Sequence, residues 1–224
     1  MTTTAASSTA RPLVARACSA DAPLRVAVLA SGGGSNLQAL LDVMGPTTPW
    51  RIVKVIVNVE GAGAIARATA AGVPVEVIPH KGRERAAHEA DVVAALVAAD
   101  VELVVLAGYM RVVTAAFVGR FPRRILNVHP ALLPSFPGLH GARQALEHGC
   151  RVAGCTVHLV DAGVDTGPIL AQAAVAIADV DDEVALQRRI QVQEHRLLPA
   201  VVTAYATGQV VERDNGVVRC HGVM

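Results

Sequence analysis

The stretch Leu24–Ala30 (Leu-Arg-Val-Ala-Val-Leu-Ala) runs straight into Ser31-Gly32-Gly33-Gly34-Ser35-Asn36. That junction limits the folds open to this chain more than any other segment does. A near-continuous apolar run is what a strand buried on both faces requires. The glycines allow a tight turn, and a helix is expected to start near Leu37, capped by Ser35 or Asn36. Strand, glycine turn and helix N-terminus leave free N–H groups and the positive end of a helix dipole facing one spot. This is an anion-binding geometry, to which Ser35 and Asn36 can add donors; the same turn also serves tight packing alone. It is not a Walker A loop, because no Gly-Lys-Ser/Thr follows, and Leu37 stands where G-x-G-x-x-G needs its third glycine.

The alternation continues. Residues 50–58, 75–78 and 101–107 and Ile125–His129 read as strands. Residues 63–71 and 83–99 read as helices, and Thr114 is placed to cap a short helix before Phe121-Pro122. This rhythm predicts an α/β fold: a doubly wound, mostly parallel sheet with right-handed crossovers and helices on both faces. Further on, residues 141–149 read as a helix, and residues 155–160 and 169–177 as strands joined by a structured loop, 161–168. Asp181 or Asp182 should cap a long helix from Glu183 to Ala206 that Gly208 ends, with Pro199 predicting a kink or break. Residues 210–219, around Asp214-Asn215-Gly216, read as a small C-terminal hairpin. Residues 1–24, rich in Ala, Ser and Thr, read as a disordered leader, and residues 25–224 as one domain.

Composition narrows the function classes. Apolar residues make up 52% of the 224, but aromatic residues only 3%, so the core must be built of Ala, Val and Leu. A formal net charge of +1 marks neither a nucleic-acid nor a membrane surface. No apolar run approaches the roughly 18 residues that span a bilayer. Cys18, Cys150, Cys155 and Cys220 form no CxxC and no disulfide-like framework, which points to a reducing cytoplasm, and Cys150 and Cys155 read as small core residues. No His/Cys/Asp spacing argues for a metal.

Several polar residues stand out of place. Pro130 ends the Ile125–His129 run, so Asn127 and His129, two residues apart, share one face at a strand's carboxyl end. That is where open α/β sheets bind ligands. An amide and an imidazole there can stabilise an oxyanion and move a proton, or can simply be a loop-entry pair. Asp165, among glycines, is either a turn residue bonding its own backbone or a carboxylate aimed at His129. Glu194 shares a helical stripe with Ile190, Leu197 and Val201, so it is either paired with an arginine or reserved for a ligand hydroxyl or amine. His158 reads as a structural histidine that orients Asp165, and His140 can reach the same cleft. His80, His88, His148, His195 and His221 sit in polar contexts and carry no signal.

Together, Ser31–Asn36, Leu106-Ala-Gly-Tyr-Met-Arg111, Asn127-Val-His-Pro-Ala-Leu-Leu-Pro134, Pro137-Gly-Leu-His140 and Asp165-Thr-Gly-Pro168 resemble phosphoribosylglycinamide formyltransferase, in register from about residue 25 to 210. The resemblance implies a Rossmann-like formyltransferase domain. It implies transfer of a formyl group from 10-formyltetrahydrofolate to the amine of glycinamide ribonucleotide in purine synthesis, through a tetrahedral intermediate. By the same resemblance His129 is the general acid and oxyanion partner. Asn127 polarises the formyl oxygen, and Asp165 raises the histidine's proton affinity. Gly34, Ser35 and Asn36 hold the substrate phosphate, and Glu194 contacts the ribonucleotide. Met110, Arg111, Val112 and Val113 wall the folate pocket with Asn127, and Arg83 contacts the folate. Two positions depart from the usual pattern: Gly33 stands where Asn is common, and Ser135 where Lys is common.

The implied partners are therefore two small molecules, with no nucleic acid, membrane or metal, in the cytoplasm; a homodimer is left open. Methionyl-tRNA formyltransferase shares the Asn/His/Asp core but carries a C-terminal tRNA domain, for which this chain ends too soon and lacks a basic patch. Formyltetrahydrofolate hydrolase carries an N-terminal regulatory domain that a ~24-residue leader is too short to form. A nucleotide-binding module without catalysis would leave Asn127, His129 and Asp165 scattered in space.

Overall fold

The computed structural model describes residues 10–16 and 18–223. Its main sheet collects β2 (Leu24–Ala30), β3 (Trp50–Val57), β4 (Val75–Val77), β5 (Leu103–Leu106), β6 (Ile125–His129), β7 (Val152–Leu159) and β8 (Ile169–Ala176). The strand order is β4-β3-β2-β5-β6-β7-β8. The first five strands in that order are mutually parallel, whereas β7 is antiparallel to β6 and β8 to β7. The order reverses between β2 and β5, so the crevice at their carboxyl ends is the switch point where such sheets bind ligands.

Alternation along β2 explains the layers. Val26, Val28 and Ala30 face one core with α1 (Ser35–Val43), α2 (Gly63–Ala70) and α6 (Glu183–Ala206). Ala27 and Leu29 face the other, with α3 (Arg85–Ala98) and α4 (Ala115–Arg120). Helices thus cover both faces, as the strand–helix rhythm predicted. α5 (Gly141–Glu147) sends Ala142 and Ala145 into the first core. Cys155 is buried there and Cys150 packs against it.

Capping sets the helix ends. The side chains of Glu84, Thr114 and Asp182 accept the N–H groups of Ala87, Phe117 and Ala185 at the starts of α3, α4 and α6. α1 differs from expectation: it begins at Ser35, and Gly34, in the left-handed conformation, occupies the cap position without a side-chain bond. Pro199 does not break α6, which runs unbroken to Ala206. His88 also departs from the reading. It is fully buried, because 88, 92 and 96 fall on one helical stripe with Val92 and Leu96, and its Nε2 lies 2.9 Å from the Ile78 carbonyl.

The C-terminal hairpin forms as β9 (Val210–Arg213) and β10 (Val218–Cys220). It has a third strand, β1 (Ala10–Pro12), antiparallel to β9. The expectation of a disordered leader is corrected for residues 10–16 and 18–24. Leu13, Val14 and Cys18 pack on the core, and Arg16 holds Glu102 through two bonds of 3.0 and 2.8 Å. The rest of the leader lies outside the described residues.

Candidate active site

Three neighbouring strands deliver the pieces. The Ser31–Asn36 turn leaves β2, the Gly108–Val113 segment leaves β5, and Asn127 and His129 close β6. All line one cavity of about 520 Å³, within the range of small-molecule sites.

At the glycine turn, Gly34 has φ +74, and a Cβ there would lie 2.8 Å from the Ala64 backbone, so only glycine fits. The turn is held from outside by Arg67, whose Nε donates to the Gly33 carbonyl at 2.7 Å and whose Nη1 donates to Gln38 at 3.0 Å. Asn36 does not cap its helix; its Nδ2 donates to Glu194 Oε2 at 2.8 Å. Its Oδ1 is buried with no partner among the described residues, an acceptor left for a bound donor. Glu194 is only 4% exposed on the predicted stripe, and its partner is Asn36, not an arginine. Burial pushes its carboxyl pKa up against the opposing pull of the Asn36 hydrogen bond.

Asn127 and His129 sit on the face of Ile125 by alternation. The register places His158 of β7 directly opposite Asn127. Asp165 completes the group. Its Oδ2 lies 3.4 Å from His129 Nδ1 and accepts the Gly138 N–H at 2.8 Å. Its Oδ1 accepts from Asn127 Nδ2 at 3.3 Å and lies 3.5 Å from His158 Nε2. Burial pushes the Asp165 pKa up, but the hydrogen bonds from His158 and Gly138 and the two imidazole charges outweigh it, so the carboxyl lies below the usual aspartate range. His129 Nε2 is 2.8 Å from the Phe136 carbonyl. A carbonyl only accepts, so Nε2 carries the proton of that bond.

The lining also has an apolar part. Met110, Val112, Leu139 and Val164 are exposed and line the cavity together with buried Val113. The segment is tied down at both ends. Ser31 Oγ accepts the Met110 N–H at 2.8 Å, and buried Glu89 accepts the Thr114 N–H at 3.0 Å and the Thr114 hydroxyl.

The sequence-predicted residues Gly34, Ser35, Asn36, Met110, Arg111, Val112, Val113, Asn127, His129, Asp165 and Glu194 therefore meet around one cavity. Arg83 does not line it: its guanidinium is spent on Asp91 at 2.6 Å. His140 lines it, as expected. Sequence reading missed Gln187 and Gln191, which line the cavity from α6. Their spacing to Glu194, four residues and then three, marks one helical face. Among the described residues no cluster of three or more His, Cys, Asp or Glu could hold a metal, and no helix is long and apolar enough to cross a membrane.

Comparison with known proteins adds the following. A family model described as formyl transferase matches residues 24–202. The phosphoribosylglycinamide formyltransferase of Mycobacterium tuberculosis is 50% identical over 189 residues, covering 84% of this chain and 87% of that protein. The trifunctional purine biosynthetic protein adenosine-3 of Drosophila melanogaster is 48% identical over 188 residues, covering 82% of this chain, while the chain spans 14% of that protein's length. Among solved structures, glycinamide ribonucleotide transformylase 1 from Symbiobacterium toebii superimposes with a TM-score of 0.84 at 46% identity, covering 88% of this chain and 94% of that one.

Proposed function

Because this chain belongs to the formyl transferase family, we propose that it moves the formyl group of 10-formyltetrahydrofolate to the amine of glycinamide ribonucleotide in purine synthesis. The observation that carries this reading is the convergence of Asn127, His129 and Asp165 with the glycine turn on one cavity that Met110, Val112, Val113, Leu139 and Val164 also line.

The chemistry follows from the side chains. The substrate amine attacks the formyl carbon, and negative charge grows on the formyl oxygen while the nitrogen becomes cationic. Asn127 Nδ2 and the His129 imidazole supply donors for that oxygen, each typically worth about 10²–10³ in rate. Moving a proton from the attacking nitrogen to the departing folate nitrogen completes the transfer. Asp165, ionised at neutral pH, holds His129 in place for the proton step, which contributes about 10²–10⁴ more. Donors at the oxyanion come from the protein itself, so the reading assigns no role to a metal, and a chelator should leave turnover unchanged.

Gly34, Ser35 and Asn36 hold the ribonucleotide phosphate through backbone N–H groups at the start of α1. Glu194 accepts from ribonucleotide hydroxyls, and Met110, Arg111, Val112 and Val113 pack the folate. Arg83 reaches the outer end of the folate if it exchanges Asp91 for that ligand. Residues 25–224 act as one formyltransferase domain in the cytoplasm. The homodimer left open by the sequence is decided by light scattering in solution.

The test supplies 10-formyltetrahydrofolate with either glycinamide ribonucleotide or charged initiator tRNA and follows release of tetrahydrofolate. Release with the ribonucleotide supports the reading. Release only with tRNA overturns it.

A further inference from the structure

We infer that Phe136 is a positioning residue that sets the orientation of His129 through its backbone carbonyl, with its aromatic ring as the anchor. The inference rests on the reading of His129 as the acid. Three observations carry it. His129 is buried, and its Nε2 has the Phe136 carbonyl, at 2.8 Å, as its partner. Which imidazole nitrogen keeps its proton is set by the bond the other one makes. With Nε2–H committed to Phe136, Nδ1 is the nitrogen left facing Asp165 and the cavity, and it carries the second proton when the ring acts as donor and acid.

Second, Phe136 adopts φ +56, a left-handed conformation that is uncommon for a bulky side chain. That backbone is strained, and such residues persist only where their surroundings over-determine them. Relaxing to negative φ would swing the carbonyl away and leave a buried imidazole N–H without an acceptor. Glycine would adopt this backbone freely, so the phenyl group is kept for something other than the turn.

Third, the ring has its own anchorage. Its centroid lies 5.1 Å from that of His148 in an edge-on arrangement, and it shares a small cavity of about 140 Å³ with Ala145, Cys150 and Val152. Those residues lie along α5, the segment that follows it and the start of β7, and none of them lines the active-site cavity. Two positions further on, Gly138 donates to Asp165 at 2.8 Å. The turn 136–138 therefore gives an acceptor to the imidazole and a donor to the carboxylate, so one anchored ring sets both partners of the pair.

The test uses Phe136→Gly, Phe136→Tyr and His148→Ala in the full chain, with steady-state rates and nitrogen NMR of His129. Phe136→Gly keeps the carbonyl and relieves the strained φ but removes the anchor. It should lower kcat about 10–100-fold, as a misplacement of about 1 Å does. KM for both substrates should stay within about threefold, and the Nε2–H tautomer of His129 should lose population. Phe136→Tyr, which restores the ring, should stay within about threefold of wild type in kcat. His148→Ala, at an exposed position, should lower kcat by about 3–10-fold with the same tautomer change.

Wild-type kcat and tautomer in Phe136→Gly would overturn the inference, as would a Phe136→Tyr loss as large as that of glycine. Should Phe136→Gly fail to fold, His148→Ala decides: unchanged kcat and tautomer overturn the inference. Turnover surviving in His129→Asn would instead strike the acid assignment, a separate outcome.

Discussion

Asn36, in the first turn of α1, donates a 2.8 Å hydrogen bond to Glu194 on α6, joining the glycine turn to a carboxylate 158 positions away. This bond is the reason a charged group can lie on the apolar stripe with Ile190, Leu197 and Val201. It compensates the burial in part, and the Glu194 pKa stays raised above its usual 4.5. A carboxyl with a raised folded-state pKa binds its proton more readily in the native state than in the unfolded chain. Its contribution to stability is present below the unfolded value and lost as pH rises through the folded one. Glu194→Gln keeps an acceptor for Asn36 without the charge. Scanning calorimetry should therefore show the variant melting higher than wild type near pH 8, by about 2–4 °C for each kcal/mol recovered, and no higher near pH 4. Its KM for the ribonucleotide should rise. An equal Tm difference at both pH values would exclude the buried charge as the cause.

Gly34 gives a sharper mutational test of the phosphate cradle. Alanine there combines a left-handed backbone with a Cβ 2.8 Å from the Ala64 backbone. Stability should fall by about 1–3 kcal/mol. KM for the ribonucleotide should rise at least about tenfold, with KM for the folate within about threefold. Equal losses for the two substrates would mean the turn serves the whole fold rather than the phosphate.

Asp165 makes a pH prediction. Its pKa lies below the ordinary 3.8, since hydrogen bonds from His158 and Gly138 and the imidazole charges outweigh the cost of burial. A carboxylate of this kind contributes stability above its unfolded pKa and loses it only as pH falls through the lowered folded value. The wild-type pH–rate profile should therefore show no limb from Asp165 at or above 3.8. Asp165→Asn should lower kcat by about 10²–10⁴ at every pH. A variant that matches wild type at neutral pH would remove Asp165 from the machinery.

The clamp between Glu89 and Thr114 governs the folate wall. Glu89→Ala strands the Thr114 N–H and hydroxyl, at a cost of about 1–3 kcal/mol. With that end released, Met110–Val113 should bind folate more weakly, raising its KM several-fold and leaving that of the ribonucleotide unchanged. A purely structural clamp would lower Tm and leave both KM values alone.

Much of this site was legible in the chain because it depends on local rules. A strand that stops at Pro130 presents Asn127 and His129 together, and a 190–194–197–201 stripe exposes Glu194 as misplaced. Of the two readings of Asp165, the carboxylate aimed at His129 is the one the structure shows. The side chain accepts from Gly138 and Asn127 rather than from its own turn, where Asp161 accepts the Gly163 N–H instead. What the chain hid depends on long-range partners. Three residues of β1 gain meaning only from β9, about two hundred positions away, and the charge of Arg83 gives no sign that Asp91 takes it up. The start of α1 was misjudged because Gly34 replaces a polar cap with a backbone conformation, which leaves Ser35 and Asn36 free for other bonds. Phe136 bonds His129 through its carbonyl, which every residue carries, and its ring meets His148 only in the folded chain, so no local pattern could reveal it.

The central claim is that His129, held between the Phe136 carbonyl and Asp165, does the proton work of formyl transfer to an amine. Single-turnover rates with 10-formyltetrahydrofolate and glycinamide ribonucleotide, in wild type and in His129→Asn, test it most directly. The expected result is a rate lower by about 10²–10⁴, with both substrates bound as in wild type. A His129→Asn protein that transfers formyl at the wild-type rate would contradict it.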